Sequence, residues 1–547
     1  MNKSFSLAAF APHADGVTDD TPALRRCFEA VQQAGGGLLT IPPGSYRLAG
    51  APTIPLSSNT TVRAHGARFL LPEHLGDRAH LTLFAGRDLT NFAWHGGHFE
   101  GHCFDHRNPP NTWEPNVCTR VLVIETSRGG VTADLLFRDI SARKIAGAVI
   151  TVQGCKRADS ERGVETFATR VRVQDCTLLD SGKFMWDYGL LWQILVWPEE
   201  YTPADVALAW RYFRQDLVRR PIRMREGDDR VGFDNTRDPI AVSRSAVAEE
   251  SVCFFGDALP ANIVRGRQYY VVDAGPAHLR VAECVGGPPL RFVGSAGPHA
   301  GLITNLAHAF YHLFWPIGTG PGKGAVDLVA CRQTNWTGNT LSALGDTMHL
   351  QCCQHNVFAN NQIVGSRMGA FFIAEYCQDT TVTGNTVDGT NGSRVMSVEK
   401  SSIDTVIVGN TFRNGGRGTW INQPQNLILQ GNVFINNTTK CERQPWRGRK
   451  TFVTGDYERY AELSFTLHEP QGRYGPVLIR NNIIVTGPEC EAAIMFARNG
   501  HDLVVDGNQF TGATSAICVA PGCDPVQGSD RVHCCDPGQP AGKQTEK

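Results

Sequence analysis

Three acidic residues stand out in the second half of the chain because each interrupts a short apolar run. They are Asp346 in DTMHLQ, Glu375 in AFFIAEY and Glu399 in RVMSVEK. Carboxyl groups about 5 Å apart can act as nucleophile and acid/base at a glycosidic bond, whereas about 6.5 to 9.5 Å leaves room for an attacking water. Glu375 with Glu399 is the candidate catalytic pair for the first arrangement, and Asp346 with Glu399 for the second.

Polar side chains accompany these carboxylates on the same runs and are candidates for binding a sugar. Strand alternation predicts an inward set and an outward set. The inward residues are Met348, Leu350, Val398 and Ile421, and the outward ones are His349, Gln351, Ser397, Glu399, Trp420 and Asn422. Trp420 would serve as a stacking platform. Lys400 and Arg394 would bind a sugar carboxylate or, in a purely structural role, neutralise the glutamates.

These runs belong to a repeat that is marked by Gly-Asn or Asn-Asn. The Asn recurs at intervals of about 22 to 26 residues, with one interval roughly doubled, which is typical of a stacked repeat protein. Each repeat contains several short strand-like runs and no helical periodicity, so it predicts one coil of a parallel β-helix. Stacked Asn side chains can hydrogen-bond from coil to coil. The repeated residues are Asn339, Asn361, Asn385, Asn410, Asn432, Asn482 and Asn508.

The repeated asparagines also allow the candidate residues to be aligned across coils. Counting back from each Asn places Gln351, Glu375 and Asn422 in one column and leaves Glu399 one residue out of register. The sequence therefore predicts an outward polar stripe along one face of the solenoid. Carboxylates on adjacent coils of that stripe would lie about 5 Å apart, the spacing of neighbouring strands.

The N-terminal segment carries a more specific pattern. Residues 14–20 read ADGVTDD, a helix is predicted with Thr21 at its N-cap and Pro22 at its first position, and GGG at 35–37 ends it. With the following LLTIPPGSYRL, this stretch resembles the entry motif of the pectate-lyase-like superfamily. The resemblance implies an all-β fold, a right-handed single-stranded parallel β-helix with an N-terminal capping helix. Polysaccharide-active enzymes and tailspikes share the motif, so it selects no single reaction.

Two segments break the strand rhythm and divide the chain. Residues 196–305 combine an amphipathic helical segment with a small β module and are predicted to form an insertion. It separates the cap and first coils, 1–195, from the C-terminal coils, 306–515. A long loop at 437–474 and a tail at 516–547 complete the predicted organisation.

Three further candidate substrate-binding residues lie beside or within these segments. Asp187 and Trp192 occur in WDYGLLWQIL, just before the first insertion, and Arg447 lies in the aromatic and basic long loop. An aromatic ring can stack on a sugar face, and a basic loop suits an acidic sugar. The structural alternatives are packing beneath the insertion for Trp192 and a solvated loop for Arg447.

The composition argues against several classes of partner. The 547 residues carry a net charge of −1, which argues against nucleic acid and anionic membranes. No apolar run reaches the about 18 residues of a membrane span. The 17 cysteines, an odd number, indicate reduced thiols and a cytoplasmic location; non-classical secretion or association with a virion are the alternatives. No cofactor and no metal is predicted, and a homo-oligomer is an open alternative.

The sequence leaves three functions open. The leading interpretation is a glycoside hydrolase that uses the carboxylate pair on the outer face of the β-helix. The second is a lyase or epimerase acting on a uronate, or an enzyme of intramolecular glycosyl transfer, in which Lys400, Arg394 and the basic loop would neutralise the sugar carboxylate. The third is a tailspike-like glycan-binding protein without turnover.

Overall fold

The computed structural model describes most of the chain from Lys3 to His533. The residues outside the description are 1–2, 50–51, 73–79, 103–117, 183–202, 204–218, 234–250, 257, 266, 284–286, 305–322, 344–345, 367–368, 374, 390–393, 417, 439–460, 468, 470, 488–489, 491, 513–514, 521–522, 524–525, 529–530 and 534–547.

Three long parallel sheets, here named A, B and C, form the body of the molecule, and each coil passes through them in that order. Sheet A contains Ser4–Ser6, Gly37–Thr40, Thr60–Arg63, Thr90–His95, Thr132–Arg138, Ala168–Gln174, Cys331–Thr337, Gln354–Ala359, Gln378–Thr383, Ile403–Val408, Gln425–Gln430, Val477–Arg480, Leu503–Asp506 and Val526–Gln527. Sheet B contains Asp15–Asp19, Gly44–Arg47, Ala67–Leu70, His98–Glu100, Ser141–Arg143, Thr177–Ser181, Thr340–Ala343, Gln362–Val364, Thr386–Asp388, Thr411–Arg413, Val433–Ile435, Ile483–Val485, Gln509–Thr511 and Arg531–His533. Sheet C contains Ile54–Pro55, His80–Arg87, Cys118–Glu125, Ile150–Gln153, Lys323–Val329, Asp346–Gln351, Gly369–Ile373, Met396–Val398, Thr419–Asn422, Ala461–Thr466, Ala492–Phe496 and Ser515–Val519.

The inward side chains of all three sheets form one continuous hydrophobic core along the axis. The helix Thr21–Gln33 closes the N-terminal end of this core, because Phe28 packs on Trp94 with 6.1 Å between ring centroids. Asp20, rather than Thr21, is the N-cap residue. Its buried carboxylate accepts the backbone N–H groups of His13 at 2.6 Å and Ala14 at 3.0 Å. Asp20 of the entry motif therefore stabilises the fold.

Among the described residues, no helix is long and apolar enough to cross a membrane.

The repeated asparagines form the predicted ladder at the corner between sheets A and B. Each Asn side chain except that of Asn508, the last, donates from Nδ2 to Oδ1 of the Asn on the next coil, at 2.8 to 3.1 Å. The same Oδ1 also accepts the backbone N–H of the preceding Asn, as between Asn385 and Asn410 at 2.9 Å. All seven are buried, and these hydrogen bonds compensate the desolvation of their amides.

The structure departs from the predicted organisation in two places. The coils continue beyond residue 515, because Ser515–Val519, Val526–Gln527 and Arg531–His533 add one strand to each sheet. Likewise, Ala461–Thr466, within the predicted loop 437–474, is a strand of sheet C. Residues 439–460 of the same predicted loop lie outside the described residues.

The predicted insertion contains a separate antiparallel sheet of six strands in its described part. Its strands are Arg219–Pro221, Val231–Gly232, Ser251–Phe255, Gln268–Ala274, His278–Ala282 and Gly301–Thr304. This sheet has its own apolar core, in which Phe254 packs on Tyr269. The insertion branches from the β-helix between a strand of sheet B and a strand of sheet C. Most of its predicted helical segment lies outside the described residues.

Glu462 is a buried carboxyl group in sheet C that ties stability to pH. It accepts the backbone N–H of Asn437 at 2.7 Å and the side-chain Nδ2 of Asn437 at 2.8 Å. Burial opposes ionisation more than these two donors favour it, so the pKa of Glu462 is raised to about 7. Because the folded pKa exceeds the usual value, the folded state binds this proton more tightly than the unfolded chain does.

We expect the free energy of unfolding to fall as the pH rises through about 7. The contribution of Glu462 is fully present below pH about 4.5, and about 3 kcal/mol is lost once the folded carboxyl group ionises. Thermal unfolding at a series of pH values checks this result. Glu462→Gln should flatten the profile between pH 5 and 8, whereas Glu29→Gln on the exposed Arg25 ion pair should leave it unchanged. An unaltered slope in Glu462→Gln would contradict the assignment.

Candidate acid–base site on sheet C

Strand alternation in sheet C places the candidate residues as the sequence predicts. Met348, Leu350, Val398 and Ile421 are fully buried in the core. The residues between them point away from the core and align from coil to coil in two rows. The first row is Thr151, Asp327, His349, Ser397 and Trp420, with backbone position 372 between the strands of His349 and Ser397. The second row is Arg87, Glu125, Gln153, Val329, Gln351, Glu399 and Asn422.

His349 forms a buried pair with Asp327 of the preceding coil in the first row. Its Nδ1 lies 2.7 Å from Oδ1 of Asp327, and both side chains are largely shielded from solvent. An ionised Asp327 can only accept, so Nδ1 carries the hydrogen and Nε2 is the ring nitrogen with the lone pair. This pairing fixes the tautomer and orientation of an acid–base group on the outer face of sheet C.

Asp327 was not among the sequence candidates, although a signal for it existed. It lies in GAVDLVA, as far before Asn339 as His349 lies before Asn361. The same count that aligned the later coils therefore places a carboxylate directly beside His349. The apolar neighbours of Asp327 concealed it.

Glu375 lies just beyond the second row and joins two coils. Its carboxylate accepts a hydrogen bond from Gln351 Nε2 at 2.5 Å and a second from Lys400 Nζ. Burial opposes ionisation of Glu375, but Lys400 and Gln351 outweigh it and hold its pKa below the usual range. Burial also opposes the charge on Lys400, but Glu375 outweighs that effect and raises the Lys400 pKa. Both partners of this ion pair are therefore charged at neutral pH.

The predicted register of the two glutamates is wrong by one residue. Glu399, not Glu375, aligns with Gln351 and Asn422. The reason is the length of the corner that follows sheet C. On one coil Cys352, which has a left-handed backbone conformation, comes directly after the second-row residue. On the next coil the equivalent left-handed residue is Tyr376, and one extra residue, Glu375, lies between it and the second row. Lys400 is the corresponding extra residue on the next coil. The ion pair is thus formed by the two inserted corner residues.

Asn422 and Glu399 continue the site along the second row. Asn422 accepts the backbone N–H of Lys400 at 3.3 Å and donates to Thr466 Oγ1 at 3.0 Å. Asn422 therefore helps to hold the corner that presents Lys400. Glu399 is half-buried and lies one coil from Glu375.

Arg394 and Trp420 contact each other, and Asp346 lies apart from the other carboxylates. The Arg394 guanidinium lies 4.2 Å from the centroid of the Trp420 ring and covers one of its faces. Asp346 is only 1% exposed, at the start of the strand that ends at Gln351. At about 3.3 Å per residue, Asp346 lies about 16 Å along the strand from the row of Glu399. The predicted Asp346–Glu399 pair therefore does not fit the structure.

A hairpin of the strands Cys155–Lys156 and Val164–Thr166 borders the site. At its tip, Arg162 stacks on the ring of Tyr376 at 4.8 Å and pairs with Glu469 at 3.3 Å. The Tyr376 hydroxyl donates to Glu161 of the same hairpin at 3.2 Å. The hairpin therefore forms a wall next to Glu375, and Tyr376 is a second site residue that the sequence did not reveal.

Three predicted substrate-binding residues, Asp187, Trp192 and Arg447, lie outside the described residues. Where side chains are described, no group of three or more His, Cys, Asp or Glu residues could hold a metal ion. The site therefore consists of a histidine–aspartate pair, a lysine–glutamate pair and amide donors, an arrangement suited to proton transfer.

Comparison with solved structures identifies the fold. The A-module of the mannuronan C-5 epimerase AlgE6 from Azotobacter vinelandii aligns with a TM-score of 0.56 at 10% identity, over 97% of this chain and 100% of that one. The chain is a right-handed parallel β-helix protein. The fold implied by the entry motif is thereby confirmed.

Other comparisons are weaker. The surface adhesin PfbA of Streptococcus pneumoniae aligns with a TM-score of 0.47 at 10% identity, over 97% of this chain and 92% of that one. An exopolygalacturonase from Thermotoga maritima aligns with a TM-score of 0.43 at 9% identity, over 97% and 92%. A family model described as periplasmic copper-binding protein (NosD) matches residues 318–458. No curated protein matches the sequence.

Proposed function

We propose that this protein is a polysaccharide-active enzyme that removes the C-5 proton of a uronate sugar, as a lyase or an epimerase. The observation that carries the proposal is the buried His349–Asp327 pair on the face that also presents Lys400 and Gln351. A C-5 proton lies next to a carboxylate, and its removal needs a base and donors that stabilise the developing negative charge.

The residues of the site can fill these roles. His349 is the proposed base, because Asp327 orients its ring and holds the hydrogen on Nδ1, so that Nε2 carries the lone pair. An ammonium has three donor hydrogens and a side-chain amide has two, so Lys400 and Gln351 retain donors after binding Glu375. These remaining donors would contact the sugar carboxylate. The structurally similar epimerase module is named for action at C-5 of mannuronan, which supports the same substrate class.

Glycosidic hydrolysis is the second candidate. Glu375 and Glu399 lie on adjacent coils, where strand spacing is about 5 Å and suits a retaining mechanism. The lowered pKa of Glu375 suits a nucleophile. We rank hydrolysis second because it leaves the His349–Asp327 pair without a role.

The products of one incubation distinguish these candidates. Oligouronates of defined length are incubated with the full chain in deuterium oxide and followed by proton NMR. We expect one of two products: an inverted sugar that carries deuterium at C-5, if the site returns a proton from solvent, or a new C-4 to C-5 double bond without deuterium at C-5, if the C-4 oxygen leaves. New reducing ends without deuterium or unsaturation would instead support hydrolysis. Binding without any change would support a glycan-binding protein and reject both reactions.

A further inference from the structure

A cleft of 560 Å³ extends from the acid–base site toward the N-terminal coils. It follows the second row from Arg87 to Gln351, over four steps between neighbouring strands of sheet C, or about 19 Å. Gln351 belongs to both the cleft and the acid–base site, because it lines the cleft and also donates to Glu375. The cleft is therefore continuous with the site.

The charge of the cleft favours an anionic ligand. Its lining contains the cations Arg87, Arg128 and Lys156 and one carboxylate, Glu125. Glu125 pairs with Arg87 at 3.3 Å, and Arg128 pairs with Glu165 outside the lining. Lys156 is half-buried and forms no ion pair with any carboxylate that the structure describes. It is the cation best placed to gain an acidic partner.

We infer that this cleft binds the part of an anionic oligosaccharide that extends beyond the reacting sugar. Lys156 contacts a sugar carboxylate. The inference rests on the proposed function for its substrate class, but it concerns binding alone. It predicts that long uronate oligomers bind more tightly than short ones, because only long ones reach past Gln351.

The test measures dissociation constants of the full chain for uronate dimers and hexamers by calorimetry. Lys156→Ala should weaken hexamer binding about tenfold and leave dimer binding unchanged, since a charge-assisted hydrogen bond is lost. Lys156→Arg should retain most of the affinity. Arg170→Ala removes one exposed positive charge from sheet A, where it pairs with Asp134, and should change neither constant.

Hexamer binding by Lys156→Ala as tight as that of the parent would overturn the inference, as would equally tight binding of a neutral hexamer or no binding of uronates. Failure of the proposed reaction appears separately, as a bound hexamer with neither deuterium at C-5 nor a C-4 to C-5 double bond.

Discussion

His349→Gln should lower kcat for a uronate oligomer about a thousandfold, because positioned acid–base groups contribute about a hundred- to ten-thousandfold. Glutamine retains much of the size of the imidazole at this buried position but cannot take up a proton at neutral pH. KM should change little, since the proposed role of His349 lies in the chemical step. Steady-state kinetics measure the effect, as the rate of deuterium incorporation at C-5 for an epimerase or of C-4 to C-5 double-bond formation for a lyase. Turnover within tenfold of the parent would reject His349 as the base.

Asp327→Asn tests whether Asp327 positions His349. The amide can present its NH2 group to Nδ1 and so favour the tautomer that lacks a hydrogen there. We expect kcat to fall about a hundredfold with KM and the unfolding temperature unchanged. Nitrogen-15 NMR of the imidazole should show the altered tautomer, which a purely structural role would not produce.

The chain contains a matched control for both variants. His355 and Asp379 form another histidine–aspartate pair between adjacent coils, with 2.9 Å from Nδ1 to Oδ2, but on the exposed face of sheet A. His355→Gln and Asp379→Asn should leave kcat and KM unchanged. Equal losses in the two pairs would point to a general effect on the helix rather than to catalysis by His349.

The fold could be predicted because its determinants are local and repeated. Each buried Asn contacts the equivalent Asn one coil away, so the same residue must recur at every such corner. The entry motif is similarly constrained, because only a short carboxylate at Asp20 can accept the backbone N–H groups of His13 and Ala14. These requirements leave a visible pattern in a single sequence.

The site could be predicted only in part, because it depends on how coils of unequal length align. Alternation correctly placed His349 and Gln351 outward. Counting from the asparagines misplaced Glu375, because the count assumes a corner of constant length and this corner has an extra residue. Contacts between distant segments, such as Tyr376 with Glu161, have no periodic signature at all. The long segments that connect strands of sheets B and C do not follow the sequence repeat either.

Glu375→Gln and Lys400→Met are expected to have the next largest effects. Removing Lys400 takes away the cation proposed to bind the sugar carboxylate, so kcat/KM should fall about a hundredfold. Glu375→Gln leaves Lys400 without its anchor and should lower kcat/KM about tenfold to a hundredfold. Kinetics on a uronate oligomer measure both. Asp388→Asn, which breaks the ion pair with Arg413 on sheet B, is the matched control and should have no effect.

The double variant decides what Glu375 does. If Glu375 acts only by positioning Lys400, the Glu375→Gln/Lys400→Met variant should be no slower than Lys400→Met alone, because the positioned group is already absent. If Glu375 were itself the nucleophile of a hydrolase, it would act on the sugar directly. Glu375→Gln alone would then abolish turnover, and its effect would persist in the double variant. A double variant no slower than Lys400→Met alone therefore supports a positioning role for Glu375, and complete loss of turnover in Glu375→Gln alone would move the assignment to hydrolysis by Glu375 and Glu399.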